Sequence, residues 1–209
     1  LEKFSFFCNA ALSALPVIGF KPDVVHCHDW QTGLIPVYLK DRFRGGEFFA
    51  NMKSVMTIHN LKFQGVWDVK TIQRFSMLPD YYFTPDKLEA YKDGNMLKGG
   101  IVFADAITTV SQTYAEEIKM PFYGEGLDGL MRARAGDLRG IVNGIDYDEF
   151  NPETDKLIAQ PYNARNFRKE KGKNKKQLQA QLGLPVDEKK FMVGIVSRLT
   201  DQKGLDLVQ

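Results

Sequence analysis

The chain has 209 residues, of which 44% are hydrophobic, and a formal net charge of +2. This length suits one domain, or one domain and part of another, with a sizeable core. The near-neutral charge gives no reason to expect nucleic acid or a membrane surface as a partner, and no apolar run approaches the roughly 20 residues of a bilayer-spanning helix. Only 2 cysteines are present. They imply no disulfide framework, so we expect a cytoplasmic protein.

The first 146 residues alternate helical and strand-like patterns. Apolar runs with small residues predict helices, and short β-branched runs bounded by turn residues predict strands. In chain order we predict helices at 4–15, 34–43, 95–104, 112–119 and 127–134, and strands at 23–28, 54–58, 106–110 and 138–142. Ser111 is the expected N-cap of the helix that follows it. Strands that alternate with helices predict an α/β fold with a parallel, doubly wound sheet.

Polar residues follow the predicted strands at equivalent positions. They are His28–Asp29, His59–Asn60, Ser111, Asn143 and, after a further predicted strand at 191–196, Arg198. In an open parallel sheet, ligands bind in the crevice outside the carboxyl ends of the strands. One such residue would mean little, since loops are polar, but residues at five equivalent positions outline a single crevice.

The composition changes after Asp146. Prolines interrupt the chain, 165–176 is strongly basic, and a short helix is expected around Leu178 with its end at Gly183. We therefore predict a first domain at 1–146, followed at 147–209 by a linker and the beginning of a second domain.

Two cations, Arg198 and Lys203, lie in the loop after the last predicted strand. A guanidinium and an ammonium both suit phosphate oxygens, so the pair is a candidate anion site at the end of a strand. A surface salt-bridge pair in an ordinary loop explains the same spacing. The spacing alone does not separate these interpretations.

Three other patterns have competing explanations. The run His26–Asp29 contains four potential metal ligands, but on a strand His26 and His28 point away from Cys27, and no second cluster offers matching ligands. Buried or capping polar groups at a strand end, or a substrate-binding turn that carries Asp29, explain the run better than a metal site. The Gly124–Gly129 segment matches G-x-G-x-x-G without the preceding strand that gives this fingerprint its mechanism, which favours a loop leading into a helix. The basic run is better explained by a solvated helix face than by a nucleic-acid patch.

Several motifs together resemble the bacterial glycogen synthases, relatives of the plant starch synthases. In order along the chain these motifs are Pro22–Trp30, Thr57–Leu61 with Gln64–Gly65, Asn143–Asp146, Asn151–Asp155 and Ser197–Gly204. The Arg–Lys element is shared by many retaining glycosyltransferases, whereas the five motifs in this order are specific. The resemblance implies a GT-B architecture, in which two Rossmann-like domains enclose the active site. It also implies transfer of glucose from ADP-glucose to the non-reducing end of an α-1,4-glucan, with retention and without a metal or other cofactor.

The resemblance also implies roles for individual residues. Arg198 and Lys203 would hold the diphosphate and stabilise the charge on departing ADP. His59 would contact the transferred glucose, and Asp29 would help to position the reacting sugars. Two further residues would line the cleft and bind substrate: Asn60 and Asn143.

Other parts of the family pattern are absent from the chain. There is no Lys-x-Gly-Gly loop and no later glutamate-bearing segment, and Leu1 is not an initiator methionine. We therefore expect an internal fragment that is inactive alone, with an apolar strand 191–196 that lacks its sheet neighbours. The alternatives are another retaining GT-B glycosyltransferase, or a non-catalytic glucan- or nucleic-acid-binding module that uses Tyr81–Phe83 and the basic run.

Overall fold

The computed structural model describes residues 1–208, without the side chain of Asp201. The chain forms two compact units, Leu1–Asn143 and Gly144–Gln209. The elements of the first unit are α1 (Glu2–Val17), β1 (Val24–His28), α2 (Leu34–Lys40), β2 (Lys53–Ile58), β3 (Val66–Asp68), α3 (Val69–Ser76), β4 (Glu89–Ala90), β5 (Asp93–Asn95), α4 (Met96–Phe103), β6 (Ala106–Thr109), α5 (Gln112–Glu117), α6 (Asp128–Ala133) and β7 (Leu138–Gly140).

The central sheet of this unit has the strand order β1-β2-β6-β7, and all neighbouring strands are parallel. This confirms the predicted α/β fold with a parallel sheet. The register pairs His28 with Thr57, Ile58 with Thr109, and Thr109 with Gly140. Because the strands run in one direction and end nearly level, the residues after each strand emerge at the same edge of the sheet.

The helices begin and pack where the sequence gives a physical reason. Ser111 caps α5 as predicted, because its hydroxyl accepts a hydrogen bond from the N–H of Tyr114 at 3.2 Å. The side chain of Asn95 caps α4 in the same way, accepting from the N–H of Lys98 at 2.8 Å. Position 100 in α4 is a glycine for a steric reason, because a Cβ there would be 3.0 Å from Cα of Gly33. The α4 helix therefore approaches the start of α2 closely.

A carboxylate stabilises the edge of the central sheet at which the strands begin. Asp105, just before β6, accepts hydrogen bonds from the backbone N–H of Ser54 at 2.8 Å and from Nζ of Lys40 at 3.0 Å. Burial by itself would raise the pKa of Asp105, but these hydrogen bonds and the charge of Lys40 lower it below its ordinary value. The ionised carboxylate thus holds the beginnings of β2 and β6 together.

A small antiparallel sheet with the order β3-β5-β4 was not predicted. Its strands have two or three residues, too few for an alternating pattern to be recognised. The turn between β4 and β5 is also hidden in the sequence, because Tyr91 and Lys92 adopt φ values of 55° and 74° that usually select glycine or asparagine. Helix α3 was likewise not predicted.

The second unit contains one α-helix, α7 (Phe167–Gln181), among its described residues, and 3-10 turns at Asp201–Lys203 and Leu205–Leu207. Helix α7 includes residues 167–176 of the basic run, so the short helix expected around Leu178 is longer than predicted. The strand predicted at 191–196 is wrong: this segment has no strand structure, and Phe191 and Val196 are fully or almost fully exposed. A strand needs a hydrogen-bonded neighbour, and the described part of this unit offers none.

Candidate functional site

Two predicted site residues meet at the carboxyl edge of the central sheet. Asp29 follows β1 and His59 follows the neighbouring β2. Oδ1 of Asp29 accepts a hydrogen bond from the backbone N–H of His59 at 2.8 Å. The N–H of Asp29 in turn donates to the carbonyl oxygen of Thr57 at 2.9 Å. Asp29, directly after β1, is therefore hydrogen-bonded both to β2 and to the residue that follows β2.

Asp29 has a strained backbone, with φ 55° and ψ −175°. This region is costly for a residue with a side chain and is seen where the surroundings over-determine the conformation. The hydroxyl of Thr32 donates to the carbonyl oxygens of His28 and Asp29 at 2.8 and 3.1 Å. These hydrogen bonds stabilise the turn that follows β1. The carboxylate of Asp29 is consequently directed at the next strand rather than along its own.

The three histidines of the chain form one cluster on these two strands. Nδ1 of His28 lies 3.0 Å from Nε2 of His59, and the rings of His26 and His28 are 4.3 Å apart. Nε2 of His26 lies 2.6 Å from the hydroxyl of Thr57, which is 2.6 Å from the hydroxyl of Thr108. Cys27, on the opposite face, is completely buried, as strand geometry predicted.

The electrostatics of this cluster favour a neutral His28. Although His28 is exposed, partial desolvation of its ring lowers its pKa below the ordinary value, and the neighbouring His26 and His59 lower the pKa further, whereas the carboxylate of Asp29 raises it. A neutral imidazole donates from one ring nitrogen and accepts at the other. A neutral His28 can therefore either donate to Nε2 of His59 or accept from it, depending on the tautomer of His28.

The loop after His59 is tied to three other segments. The N–H of Leu61 donates to the hydroxyl of Tyr114 on α5 at 3.0 Å. Nε2 of Gln64 donates to the carbonyl oxygen of Glu125 at 2.9 Å, and Oε1 of Gln64 accepts from Nδ2 of Asn95 at 2.6 Å. Burial raises the pKa of Tyr114, so its hydroxyl stays protonated near neutral pH. These contacts hold the loop in one place.

Gly65 ends this loop against the indole of Trp30. It has φ +66°, and a Cβ at this position would lie 2.5 Å from the indole ring. The ring of Trp30 also packs edge-on against Phe4 at a centroid distance of 5.1 Å. Trp30 therefore supports the loops around the site through packing, and Gly65 is the residue that leaves room for it.

The asparagines predicted to bind substrate occupy different settings. Oδ1 of Asn60 accepts a hydrogen bond from the N–H of Lys62 at 3.0 Å, which is a local turn contact within the loop after His59. Asn143 follows β7 at the same sheet edge and is exposed. Within the described residues, no hydrogen bond joins Asn143 to Asp29 or His59. The substrate roles of both asparagines stay predictions.

Arg198 and Lys203 lie in the second unit, and both are exposed. The N–H of Lys203 donates to the carbonyl oxygen of Thr200 at 2.9 Å, which closes the turn that ends at Lys203. Gly204 follows with φ +64°. The diphosphate-binding role of the two cations remains a prediction, as does the assignment of this unit to the beginning of a second domain.

The structure describes the surroundings of the three patterns with competing explanations: the possible metal ligands, the glycine-rich segment and the basic run. Among the residues that the structure describes, no three His, Cys, Asp or Glu side chains are grouped to hold a metal ion. The glycine-rich segment follows a turn rather than a strand and leads into α6. On α7, Nζ of Lys175 donates to the carbonyl oxygen of Glu188 at 2.9 Å, and Nζ of Lys176 lies 2.6 Å from its carboxylate. No helix within residues 1–208 is long and apolar enough to cross a membrane.

Sequence reasoning missed the supporting residues of the site. His28 was singled out only as a strand-end polar group and a possible metal ligand, Thr57 only as part of the Thr57–Leu61 motif, and Tyr114 not at all. The two-residue period places His26 and His28 on one face, which was a usable signal. Nothing in the sequence shows which atoms of the next strand they meet.

Comparisons with known proteins agree with this architecture. Residues 1–133 match the family model described as starch synthase catalytic domain. The chain is 71% identical over 208 residues to a glycogen synthase of Lachnospira eligens, covering 100% of this chain and 44% of that protein. It is 52% identical over 207 residues to a glycogen synthase of Thermotoga maritima, covering 99% of this chain and 42% of that protein.

A solved structure shows the same similarity in three dimensions. The catalytic domain of starch synthase IV from Arabidopsis thaliana, bound to ADP and acarbose, matches with a TM-score of 0.88 and 34% identity over 98% of this chain and 42% of that chain. The chain thus spans less than half the length of the relatives it matches. The family match over most of the first unit, the high identity along the whole chain and the shared GT-B fold agree. The chain belongs to the glycogen and starch synthase family.

Proposed function

We propose that the whole polypeptide encoded by the reading frame that contains these residues (the whole encoded polypeptide) is a cytoplasmic glycogen synthase. It transfers glucose from ADP-glucose to the non-reducing end of an α-1,4-glucan, with retention of configuration and without a metal ion or other cofactor. Two similarities support the substrates: the 71% identity to a protein named glycogen synthase, and the likeness to a starch synthase bound to ADP and acarbose.

One observation in the structure carries the proposal. The carboxylate of Asp29 accepts a hydrogen bond from the N–H of His59 at 2.8 Å, where two neighbouring parallel strands end. This is the position at which open α/β sheets bind ligands. The strained backbone of Asp29 fits a site whose geometry is maintained for function.

The proposed chemistry assigns complementary tasks to the two units. Breaking a bond between a sugar and a diphosphate develops negative charge on the leaving group and positive charge on the sugar carbon. Arg198 and Lys203 stabilise the negative charge, and the polar groups around Asp29 and His59 contact the sugar and favour the positive charge.

The function is tested by incorporation of labelled glucose into glycogen by the whole encoded polypeptide. We expect incorporation from ADP-glucose, less from UDP-glucose, an α-linked product and no loss of rate with EDTA. Lys203→Ala is expected to lower kcat about 10²- to 10³-fold. The matched control, Lys189→Ala, removes another exposed lysine of the same unit. Absence of glucosyl transfer by the folded wild-type protein would reject the function, and faster transfer from UDP-glucose would reject the donor.

A further inference from the structure

We propose that His28 is a positioning residue that fixes the imidazole of His59 through the hydrogen bond between Nδ1 of His28 and Nε2 of His59. The inference rests on the proposed function, in which His59 contacts the transferred glucose. The distance between the two nitrogens is 3.0 Å. Together with Asp29, His28 holds His59 at two separate points.

The two points control different parts of His59. The carboxylate of Asp29 accepts from the backbone N–H at 2.8 Å and so fixes the main chain. The ring of His28 meets the ring of His59, with centroids 5.2 Å apart, and so fixes the side-chain torsions. The last residue of β1 and the residue after it therefore set both the ring and the backbone of the residue that follows β2.

The hydrogen bond also determines which nitrogen of His59 faces a substrate. Nε2 of His59 is occupied by His28, which leaves Nδ1 as the ring nitrogen available to a sugar hydroxyl. One hydrogen atom lies between the two nitrogens, because two N–H groups cannot point at each other over this distance. In a neutral His59, the nitrogen to which this hydrogen belongs sets the tautomer, and thereby makes Nδ1 of His59 either a donor or an acceptor.

The residues around His28 contact its ring without burying it in the hydrophobic core. His28 is exposed at the sheet edge, whereas its neighbour Cys27 is completely buried. The ring of His26 lies against His28 and is itself held by the hydroxyl of Thr57. The titratable groups that face His28 are His26 on its own strand, Asp29 after it and His59 after β2. Each of them belongs to the cluster or contacts it directly.

The test compares two substitutions of His28 in the whole encoded polypeptide. His28→Phe keeps a ring but removes the hydrogen bond, and His28→Asn places a polar atom near the position of Nδ1. We expect His28→Phe to lower kcat on the order of 10- to 100-fold with a smaller change in KM, as a misplaced contact would. His28→Asn should recover most of this loss. The control is Thr108→Val, which changes the same polar cluster without touching His59.

A spectroscopic readout separates positioning from general stability. Nitrogen-15 NMR of labelled histidines, assigned by single substitutions, reports the tautomer of each imidazole. At alkaline pH, where imidazoles are neutral, we expect one tautomer for His59 in the wild type and in Thr108→Val, and a mixture of tautomers in His28→Phe. A mixture already in the wild type would overturn the proposal without recourse to any variant.

The outcomes also separate this proposal from the proposed function. Wild-type protein that shows one His59 tautomer but no glucosyl transfer would reject the function. Active wild-type protein in which His28→Phe keeps both its kcat and the tautomer of His59 would reject the role of His28 alone.

Discussion

Replacing Gly65 by alanine is expected to destabilise the first unit by two separable effects. The first is backbone strain, since φ is +66° and a side chain in this region costs about 1–2 kcal/mol. The second is overlap, because the added Cβ would lie 2.5 Å from the indole of Trp30. Overpacking of this kind typically costs about 1–3 kcal/mol. The free energy of unfolding should therefore fall by about 2–5 kcal/mol in total.

The chain offers a matched control in Gly19. Its φ is +67°, almost the same as that of Gly65, but a Cβ at Gly19 would have nothing within 4 Å. Gly19→Ala therefore carries the backbone strain without the overlap. The difference between the two variants isolates the contact with Trp30, which we expect to be about 1–3 kcal/mol.

Urea unfolding followed by tryptophan fluorescence and by circular dichroism measures both variants. Comparison of the slopes with denaturant checks that each variant unfolds from a native state of the same compactness. Equal loss of stability in Gly65→Ala and Gly19→Ala would refute the overlap, and with it the claim that Gly65 makes room for Trp30. No loss in either variant would refute the strain as well.

Three further predictions concern other parts of the chain. Asp105→Asn should cost about 1–3 kcal/mol at pH 7. Because the folded-state pKa of Asp105 is lowered, this stabilisation is present above the unfolded pKa and disappears as the pH falls through the folded one, so an acid–neutral series of unfolding curves checks it. Burial raises the pKa of Cys8 and Cys27 to about 12, so neither thiol should react with a soluble alkylating agent at pH 8 until the protein unfolds; mass spectrometry of the native protein would reveal the contrary. Arg198→Ala in the whole encoded polypeptide should lower kcat about 10²- to 10³-fold, and a change no larger than that of a nearby surface variant would contradict a phosphate role.

The parallel sheet could be predicted because its strands have strong local patterns. The segments 54–58 and 106–110 are short, apolar or β-branched, and bounded by turn residues, so their length, composition and flanking residues identified β2 and β6. Strands β3, β4 and β5 are too short to produce such a pattern. Strand β3 directly follows Gly65 and β5 directly precedes α4, and the N–H of Met96 at the start of α4 donates to the carbonyl oxygen of Gly65 at 3.1 Å. That contact depends on tertiary structure.

The candidate site was predictable as a location but not as a set of contacts. The rule that parallel strands end at one edge was enough to place Asp29 near His59. It could not show that the carboxylate meets a backbone N–H, because this depends on the unusual φ of Asp29. Nor could it show the contact between His28 and His59, because a two-residue period gives the face of a side chain and not the lateral register.

The segment 191–196 has the sequence pattern of a strand but does not form one in the second unit. Its apolar, β-branched residues favour a strand, yet Phe191, Val193 and Val196 are exposed in the described structure. Under the proposed function, other parts of the whole encoded polypeptide supply the missing neighbours. We therefore expect amide hydrogens of 191–196 to exchange rapidly in the 209-residue chain and slowly in the whole encoded polypeptide, as measured by mass spectrometry. Rapid exchange in both would mean that the apolar pattern does not mark a strand, and that Arg198 does not follow a sheet edge.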